Sequence, residues 1–499
     1  MTHRLSKSRF IAGVQCHKLL WWKVHEPDAK ELQADKALQD RFDQGNEFGE
    51  LARKRFPGGV LIDLPHHAVE ERLAQTQEAL SEGTPSVFEA TFVEKNTFVA
   101  VDVLERLPQG FHLIEVKAST KQKPEHIPDV AVQLEVLRSA GIDVKQASVM
   151  HLNPEFRSPD RGDLCSTSDV TAVAEERRAT IDVELEAQMK VLRGSTPPDV
   201  GIGSHCLSPH ECPFLKRCWP EDRDHISKLY RVGPKKMEKY FARGITRISQ
   251  VPGTDKIDEV ARRQITATRE NRRVVEPGLT QALSRFSGTL GFLDFETVSR
   301  AIPVWPGLPP WGQVPVQFSY HEQQPDGALS HDEWLAEGPE DPRSDLANAL
   351  IEATGRADKV LVYSSFEKRC ITDLQEAVPE LRTKLEDLKN RLIDLRPTIR
   401  DYVYDPAFEG SFSIKDVLQP LVPELSYKDL DIADGSVASA EIARLLLRAD
   451  EIPRDEQAKM RENLLKYCKR DTWAMVKLLE SLRNIAHEDE TSRDAVGNA

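Results

Sequence analysis

Two stretches of the sequence set acidic residues at spacings suited to holding divalent metal ions. In FVAVDVLERLPQGFHLIEVKAST, Asp102 ends one apolar run, and Glu115 and Lys117 stand two apart at the end of the next. Residues i and i+2 of a strand face the same side. Glu115 and Lys117 can therefore share a pocket, with Asp102 joining them across a hairpin. Phosphodiester hydrolysis uses such carboxylates to hold Mg²⁺ or Mn²⁺, which polarises the phosphate and lowers the pKa of a bound water. A neighbouring lysine can orient that water or stabilise developing negative charge. E-x-K alone is common; here it sits on apolar strands followed by a helix, with Glu89 a further acidic neighbour.

The second stretch, GFLDFETVS, places Asp294 and Glu296 two apart on another apolar strand. Far downstream, LLKYCKRDTWAM sets Tyr467 and Asp471 at i and i+4, on one helix face. Between them, VLVYSSFEKRCITDL ends a strand and starts a helix with Glu367, with Asp373 and Asp394 as fallback positions. Asp294, Glu296, Glu367 and Asp471 could converge on two metal ions about 4 Å apart, and Tyr467 could orient the attacking water.

A third group is built from thiols. Three of the seven cysteines, Cys206, Cys212 and Cys218, cluster in HCLSPHECPFLKRCW, and Cys16 lies far upstream in RFIAGVQCHKLLWW. An odd cysteine count without a leader argues against a disulfide framework. One thiolate plus three suits an iron–sulfur cluster at least as well as zinc, whose sites usually show paired short knuckles. His205 and His210 keep zinc open. Cys165, Cys370 and Cys468 read as small apolar residues.

These residues need elements to hold them. The chain of 499 residues suggests two or three domains, and 39% apolar with 30% charged residues leaves ample core. No apolar run is long enough to span a membrane, and MTHRLSKSRF has no apolar core of a secretory signal. The expected address is the cytoplasm. Residues 1–221 read as one unit. It has helical patterning at 10–24 and 42–56, strands at 87–92, 97–104 and 111–116, a helix at 129–140, a strand at 146–152 and a helix at 169–193. Residues 286–485 read as an α/β unit, with strands at 288–295, 316–320 and 359–363, a Pro- and Trp-rich loop at 301–315, and helices at 367–376 and 464–482. Residues 486–499 read as a disordered tail.

The formal net charge is −14, yet residues 222–273 hold 14 Lys and Arg against 7 Asp and Glu. In LYRVGPKKMEKYFARGI, a V-G-P turn precedes a basic helix. Such a turn offers helix N-terminal N–H groups to a phosphate. Lys235, Lys236 and Lys239 add charge, and Tyr230 and Tyr240 can stack on bases. Residues 222–285 thus read as a basic helical linker, similar to a helix-hairpin-helix element.

Residues 6–220 resemble the PD-(D/E)XK nuclease superfamily, and within it the RecB-like branch of AddB and CRISPR-associated exonucleases. The resemblance implies a restriction-endonuclease-like fold, with Asp102 and Glu115 as metal ligands and Lys117 as the catalytic lysine. DVAVQLEVL resembles that branch's Q-x-x-x-Y helix, with Gln133 at the Gln position and Leu137 where Tyr is usual. GNEFGELA has Gly49 where the upstream helix usually carries His, so Glu50, or alternatively Glu47, is the implied substitute. The same relatives clasp a [4Fe–4S] cluster with one N-terminal and three C-terminal cysteines, implying that role for Cys16, Cys206, Cys212 and Cys218.

Residues 288–485 resemble the DnaQ-like (DEDD) 3′–5′ exonucleases on the RNase H-like fold, in the tyrosine-bearing subclass. The resemblance implies Asp294, Glu296, Glu367 and Asp471 as metal ligands beside Tyr467. The arrangement as a whole resembles a family of bacterial proteins. The implied activity is metal-dependent exonucleolytic hydrolysis of DNA, acting on ends with a single strand, in repair, recombination or defence, with a helicase or similar partner and no membrane. An RNA-processing exonuclease and a DNA-end-binding scaffold with degenerate sites are the alternatives.

Overall fold

The computed structural model describes residues 4–159 and 161–497 as a mixed α/β chain in two compact units. Unit 1 comprises Met1–Trp219 with Arg300–Gly312, and unit 2 comprises Pro220–Ser299 with Gln313–Ala499. Two expected boundaries change as a result. The basic segment 222–285 belongs to unit 2, and the Pro- and Trp-rich loop belongs to unit 1. No helix among the described residues is long and apolar enough to cross a membrane.

Unit 1 opens with β1 (Leu5–Ser6), α1 (Lys7–Gln15) and α2 (His17–His25). The helical pattern over 10–24 is thus split at Cys16, whose backbone is extended. α3 (Lys36–Arg53) starts under an Asp35 cap that accepts from the Leu38 N–H at 2.7 Å. β2 (Val60–Leu61) and α4 (Val69–Ser81) lead to a hairpin of β3 (Ser86–Glu94) and β4 (Thr97–Arg106). Its two turn residues, Lys95 and Asn96, both have positive φ, the geometry that matches strand twist in two-residue hairpins.

Next come β5 (Phe111–Lys117), α5 (His126–Ser139), β6 (Val144–Leu152), β7 (Cys165–Asp169), α6 (Thr171–Arg178), α7 (Ile181–Leu192) and α8 (Leu215–Cys218). The single helix expected over 169–193 is two, because β7 runs to Asp169 and the chain turns again at 179–180. The sheet order is β2-β3-β4-β5-β6-β7. β4 forks along one edge, pairing with β1 at Thr97 and Phe98 and with β5 from Val103 to Arg106. Asp102 lies at that fork. Val99, Val101, Leu113, Val130 and Leu134 form part of the core behind it, each such side chain contributing about 1.5–3 kcal/mol.

Within unit 1, Arg300–Gly312 is held by side chains of α3 and by loop backbone. Arg300 pairs with Asp40 at 2.5 Å, and the Ala301 N–H donates to Gln44 Oε1 at 2.6 Å. The Ser158 N–H donates to the Leu308 carbonyl at 3.0 Å, and Trp311 Nε1 donates to the carbonyl of Ala118 at 2.8 Å.

Unit 2 begins with α9 (Gly233–Ala242), α10 (Glu259–Glu270), β8 (Val274–Val275) and α11 (Leu279–Leu283). β9 (Leu290–Ser299), β10 (Gln313–Gln323), β11 (Leu329–Leu335), α12 (Arg343–Thr354), β12 (Lys359–Val362), α13 (Phe366–Ala377), α14 (Arg382–Arg391) and β13 (Leu392–Asp394) follow. α15 (Arg396–Tyr402), β14 (Val403–Tyr404), α16 (Ile414–Leu421), α17 (Gly435–Leu447) and α18 (Arg454–Gly497) complete it. The main sheet has the order β11-β10-β9-β12-β13, antiparallel across β11, β10 and β9 and parallel across β9, β12 and β13. Phe292, Leu361, Leu395, Val417 and Leu478 belong to its core.

α18 corrects the expected tail: residues 486–497 continue the helix. The stretch AHEDETSRDAV is polar, but it contains no Pro or Gly to stop a helix already nucleated upstream. Residues 498 and 499 of that expectation lie outside the described residues.

Candidate metal sites

In unit 1, the antiparallel register that sets Val103 against Ile114 brings Asp102 beside Glu115. Asp102 Oδ2 accepts from the Val116 N–H at 2.7 Å, which anchors it at the fork. Glu115 is fully buried. Lys117 Nζ lies 2.6 Å from Glu115 and 2.6 Å from Asp129 on α5. Gln133, one helical turn beyond Asp129, donates to Glu115 Oε2 at 2.7 Å, and its buried Oε1 has no partner. A second ammonium enters from α1: Lys7 Nζ is 2.8 Å from Glu115, 3.7 Å from Asp129 and 3.9 Å from Asp102.

Three carboxylates therefore face two lysines, and their pKa values diverge. Burial and the Glu115 charge push Asp102 up to about 7. Burial also favours the neutral form of Glu115, but Lys117 and Lys7 override it and hold the carboxyl well below the usual range. Both lysines stay charged: burial opposes this, and the surrounding carboxylates outweigh it. Neither Lys7 nor Asp129 is singled out by the sequence pattern. Asp129 had a signal, its i, i+4 relation to Gln133; Lys7 had none, because only the β1–β4 pairing brings it near.

Glu50 does not join this group. It lies on the exposed side of α3, and none of the hydrogen bonds or ion pairs described around Asp102 and Glu115 reaches it. Glu47 instead approaches Arg300 at 3.7 Å. Glu89 lines the same groove as Asp102.

In unit 2, β9 delivers Asp294 and Glu296 and α18 delivers Asp471. One ligand oxygen from each lies within 4.8 Å of the other two, the one such group of His, Cys, Asp or Glu found among the described residues. At about 4 Å and an effective dielectric of 20, two ionised carboxylates repel by about 4 kcal/mol. Burial and this mutual repulsion hold Asp294 and Glu296 well above the usual carboxylate range. Burial pushes Asp471 up to about 6, although hydroxyl contacts and Lys415 resist the rise. The Tyr427 hydroxyl donates to Asp471 at 2.5 Å. Such a crowded buried acidic set fits a divalent cation, whose charge would remove the repulsion.

Glu367 starts α13 and is buried, hydrogen-bonded by Ser364 at 3.3 Å. Burial pushes it up to about 7, and its charge acts on Asp294. Of the fallback positions, Asp394 ends β13 and acts on Glu367, whereas Asp373 is not part of this charge network. Tyr467 is buried on α18. Burial and the Asp471, Glu296 and Asp294 charges keep its hydroxyl protonated. Lys415 on α16 lies over the Tyr427 and Tyr467 rings, at 5.6 and 5.4 Å from their centroids. Tyr427 and Lys415 lie in the stretch SFSIKDVLQPLVPELSYKDLDIADG, which resembles the segment before the Tyr467–Asp471 motif in DnaQ-like exonucleases, but no spacing in it marks these two residues.

The cysteines of unit 1 gather as well. Cys212 is buried beside Cys16 and Cys218, and the Cys212 N–H donates to the Cys206 carbonyl at 2.8 Å. Gln15 binds the carbonyls of His205 and His210 at 2.8 and 2.7 Å, tying α1 to the cysteine loop. Burial, with the charges of the other three thiols, pushes Cys212 up to about 11.

The basic segment differs from expectation at one residue. Lys235 and Lys239 are exposed on α9 and Lys236 is half-buried, but Tyr240 is buried and cannot stack on a base. Met237 and Tyr240, three apart, form the inward face of the helix.

Against protein-family models, residues 291–413 match the domain of unknown function DUF2779. A comparison with curated proteins gives no match, and one with solved structures gives none either.

Proposed function

We propose that this chain is a divalent-metal-dependent nuclease acting on DNA ends. The observation that carries the reading is the Asp294–Glu296–Asp471 group of unit 2, with Glu296 and Asp471 buried and Asp294 half-buried, crowded within 4.8 Å with Tyr467 beside it. Mg²⁺ or Mn²⁺ held there would polarise a phosphodiester and acidify a bound water. The protein's share is positional. Asp294, Glu296 and Asp471 are the ligand set, with Glu367 alongside Asp294. Tyr427 orients one oxygen of Asp471 by its hydrogen bond, and Tyr467, kept protonated, can hold the attacking water in line. The mixed sheet with carboxylates on its central strand supports the DnaQ-like, RNase H-like resemblance.

Unit 1 supports a PD-(D/E)XK reading through Asp102, Glu115 and Lys117 on adjacent strands, with Gln133 orienting Glu115. A second reading rests on Lys7, which with Lys117 already neutralises most of that acidic group. On that reading, unit 1 holds the strand for unit 2 to cut.

The four cysteines are read as holding a [4Fe–4S] cluster. Held there, such a cluster would staple α1 to the end of unit 1, and zinc is the alternative on the same thiols. An absorbance band near about 400 nm from an anaerobic preparation, lost in Cys212→Ser, tests it. Exposed Lys235 and Lys239, with Lys236, are read as phosphate contacts, and a helicase supplying a single-stranded end is the partner class this activity calls for.

End-labelled single-stranded DNA with Mg²⁺ or Mn²⁺ tests the whole reading. The comparison is wild type, Lys117→Ala, Asp294→Ala and the double variant. Activity that divides between the singles and vanishes in the double establishes two nucleases. Activity lost in Asp294→Ala alone leaves unit 1 as a binding unit. No cleavage of DNA or RNA by cluster-loaded wild type overturns the proposal.

A further inference from the structure

A groove of about 520 Å³ opens beside Asp102 in unit 1, within the size range of pockets that hold small ligands. One wall is the N-terminal segment. β1 is fixed by its parallel pairing with β4, Leu5 is fully buried, and the Ser6 hydroxyl caps α1 by accepting from the Arg9 N–H at 3.3 Å. The segment is therefore a rigid part of the sheet edge. It presents Arg4, Lys7 and Arg9 to the groove. Lys7 is committed to the carboxylates, but neither Arg4 nor Arg9 has an ion pair among those described, in a chain of formal net charge −14.

The floor is different. Phe98 lines it from β4, and the exposed ring of His66 meets Phe98 edge-on with centroids 6.1 Å apart. Arginines without an ion pair beside an exposed aromatic ring combine phosphate contact with a stacking surface, the two features that hold single strands without reading sequence; among the described residues, the Arg9 guanidinium donates only to the Arg4 carbonyl, at 3.3 Å. At the far end stand Asp102 and Glu89. The groove thus runs from cations, across an aromatic floor, to the carboxylates at the fork of β4.

We propose that this groove holds a single strand of nucleic acid, with backbone phosphates on Arg4 and Arg9 and a base on the exposed ring of His66, which buried Phe98 backs edge-on, so that the strand meets Asp102. The proposal rests on the nuclease reading of unit 1 for its purpose, but binding can be measured without cleavage.

The test uses the full chain in EDTA with a fluorescein-labelled short oligothymidylate, read by anisotropy between about 50 and 200 mM salt. Arg4→Glu with Arg9→Glu is expected to weaken binding at least about tenfold. It should also lower the salt slope by about 1.4, two phosphate contacts at about 0.7 each for a single strand. Arg4→Lys with Arg9→Lys restores the slope, which excludes misfolding as the cause. Photo-crosslinking of the same oligomer carrying 5-iododeoxyuridine is expected at His66. Unchanged affinity and slope in the Glu variant, or crosslinks confined to α9, overturn the proposal. Cleavage by Asp294→Ala separates the two readings. Lys117-dependent cleavage unaffected by Arg4→Glu with Arg9→Glu leaves the unit 1 site standing without the groove; binding without any cleavage leaves the groove standing without the nuclease.

Discussion

In unit 1, each carboxylate of the group lies within 4 Å of a lysine nitrogen: Asp102 of Lys7, and Glu115 and Asp129 of both Lys7 and Lys117. In unit 2, Asp294, Glu296, Glu367 and Asp471 have no ion pair among those described; Lys415 acts on Glu296 and Asp471, and Arg470 on Asp471, only at longer range. Both groups start from acidic residues on a strand, and both are buried. The difference is which distant segment supplies a cation. Unit 1 carries its own counter-charges, whereas unit 2 leaves its carboxylates protonated or dependent on an added ion.

The contrast is sharpest in Asp294→Asn. Cleavage assigned to unit 2 should fall at least about 10³-fold. The same change should raise the melting temperature in EDTA, because it removes a repelling carboxyl from a crowded buried group. Differential scanning fluorimetry beside the cleavage assay reads both; a fall in melting temperature breaks the contrast.

Glu115→Gln should do the reverse. It removes one of the two carboxylates that the half-buried Lys7 and Lys117 share, leaving them Asp129, and weakening such a charged pair costs about 1–3 kcal/mol. Urea unfolding monitored for unit 1 measures it. A loss under about 1 kcal/mol would mean that Lys7 and Lys117 are solvated after all.

The third expectation concerns pH. Asp471, at about 6 when folded, and Glu367, at about 7, bind protons more tightly in the folded state than in the unfolded chain. Their contribution to stability is therefore present below about pH 4 and lost as pH rises to about 7. Mg²⁺ should flatten this decline. In unit 1, Asp102 at about 7 shifts stability in the same direction, but the depressed Glu115 opposes it. Denaturation midpoints across pH, with and without Mg²⁺, should thus change mainly in the transition of unit 2.

The smallest effect is expected for Tyr467→Phe. A residue that orients water rather than holding metal should cost about 10- to 10²-fold in kcat with little change in KM. A larger loss in KM would move Tyr467 from the water to the strand.

Much of this was legible because it is local. The period of a strand put Glu115 with Lys117 and Asp294 with Glu296, and the period of a helix put Tyr467 with Asp471. What balances those charges was not legible. Lys7 reaches Glu115 across 108 positions and Tyr427 reaches Asp471 across 44, and no local pattern records such distances. Tyr240 shows the opposite error: the lysines around it drew attention to charge, while the three-residue spacing of Met237 and Tyr240 already marked an inward face. Glu50 was inferred by analogy of position, and its helix turns it to solvent.

The strap Arg300–Gly312 has a consequence for synthesis. Unit 1 takes a piece of chain that lies about 80 residues beyond Trp219, and the intervening residues belong to unit 2. A ribosome elongating at about 5–20 residues per second emits that piece several seconds after the rest of unit 1. Until then, Gln44 of α3 lacks the Ala301 amide and Asp40 lacks Arg300. No single cut in the gene yields both units whole, and a nascent chain stalled before residue 300 would expose an unfinished α3 surface to chaperones and proteases.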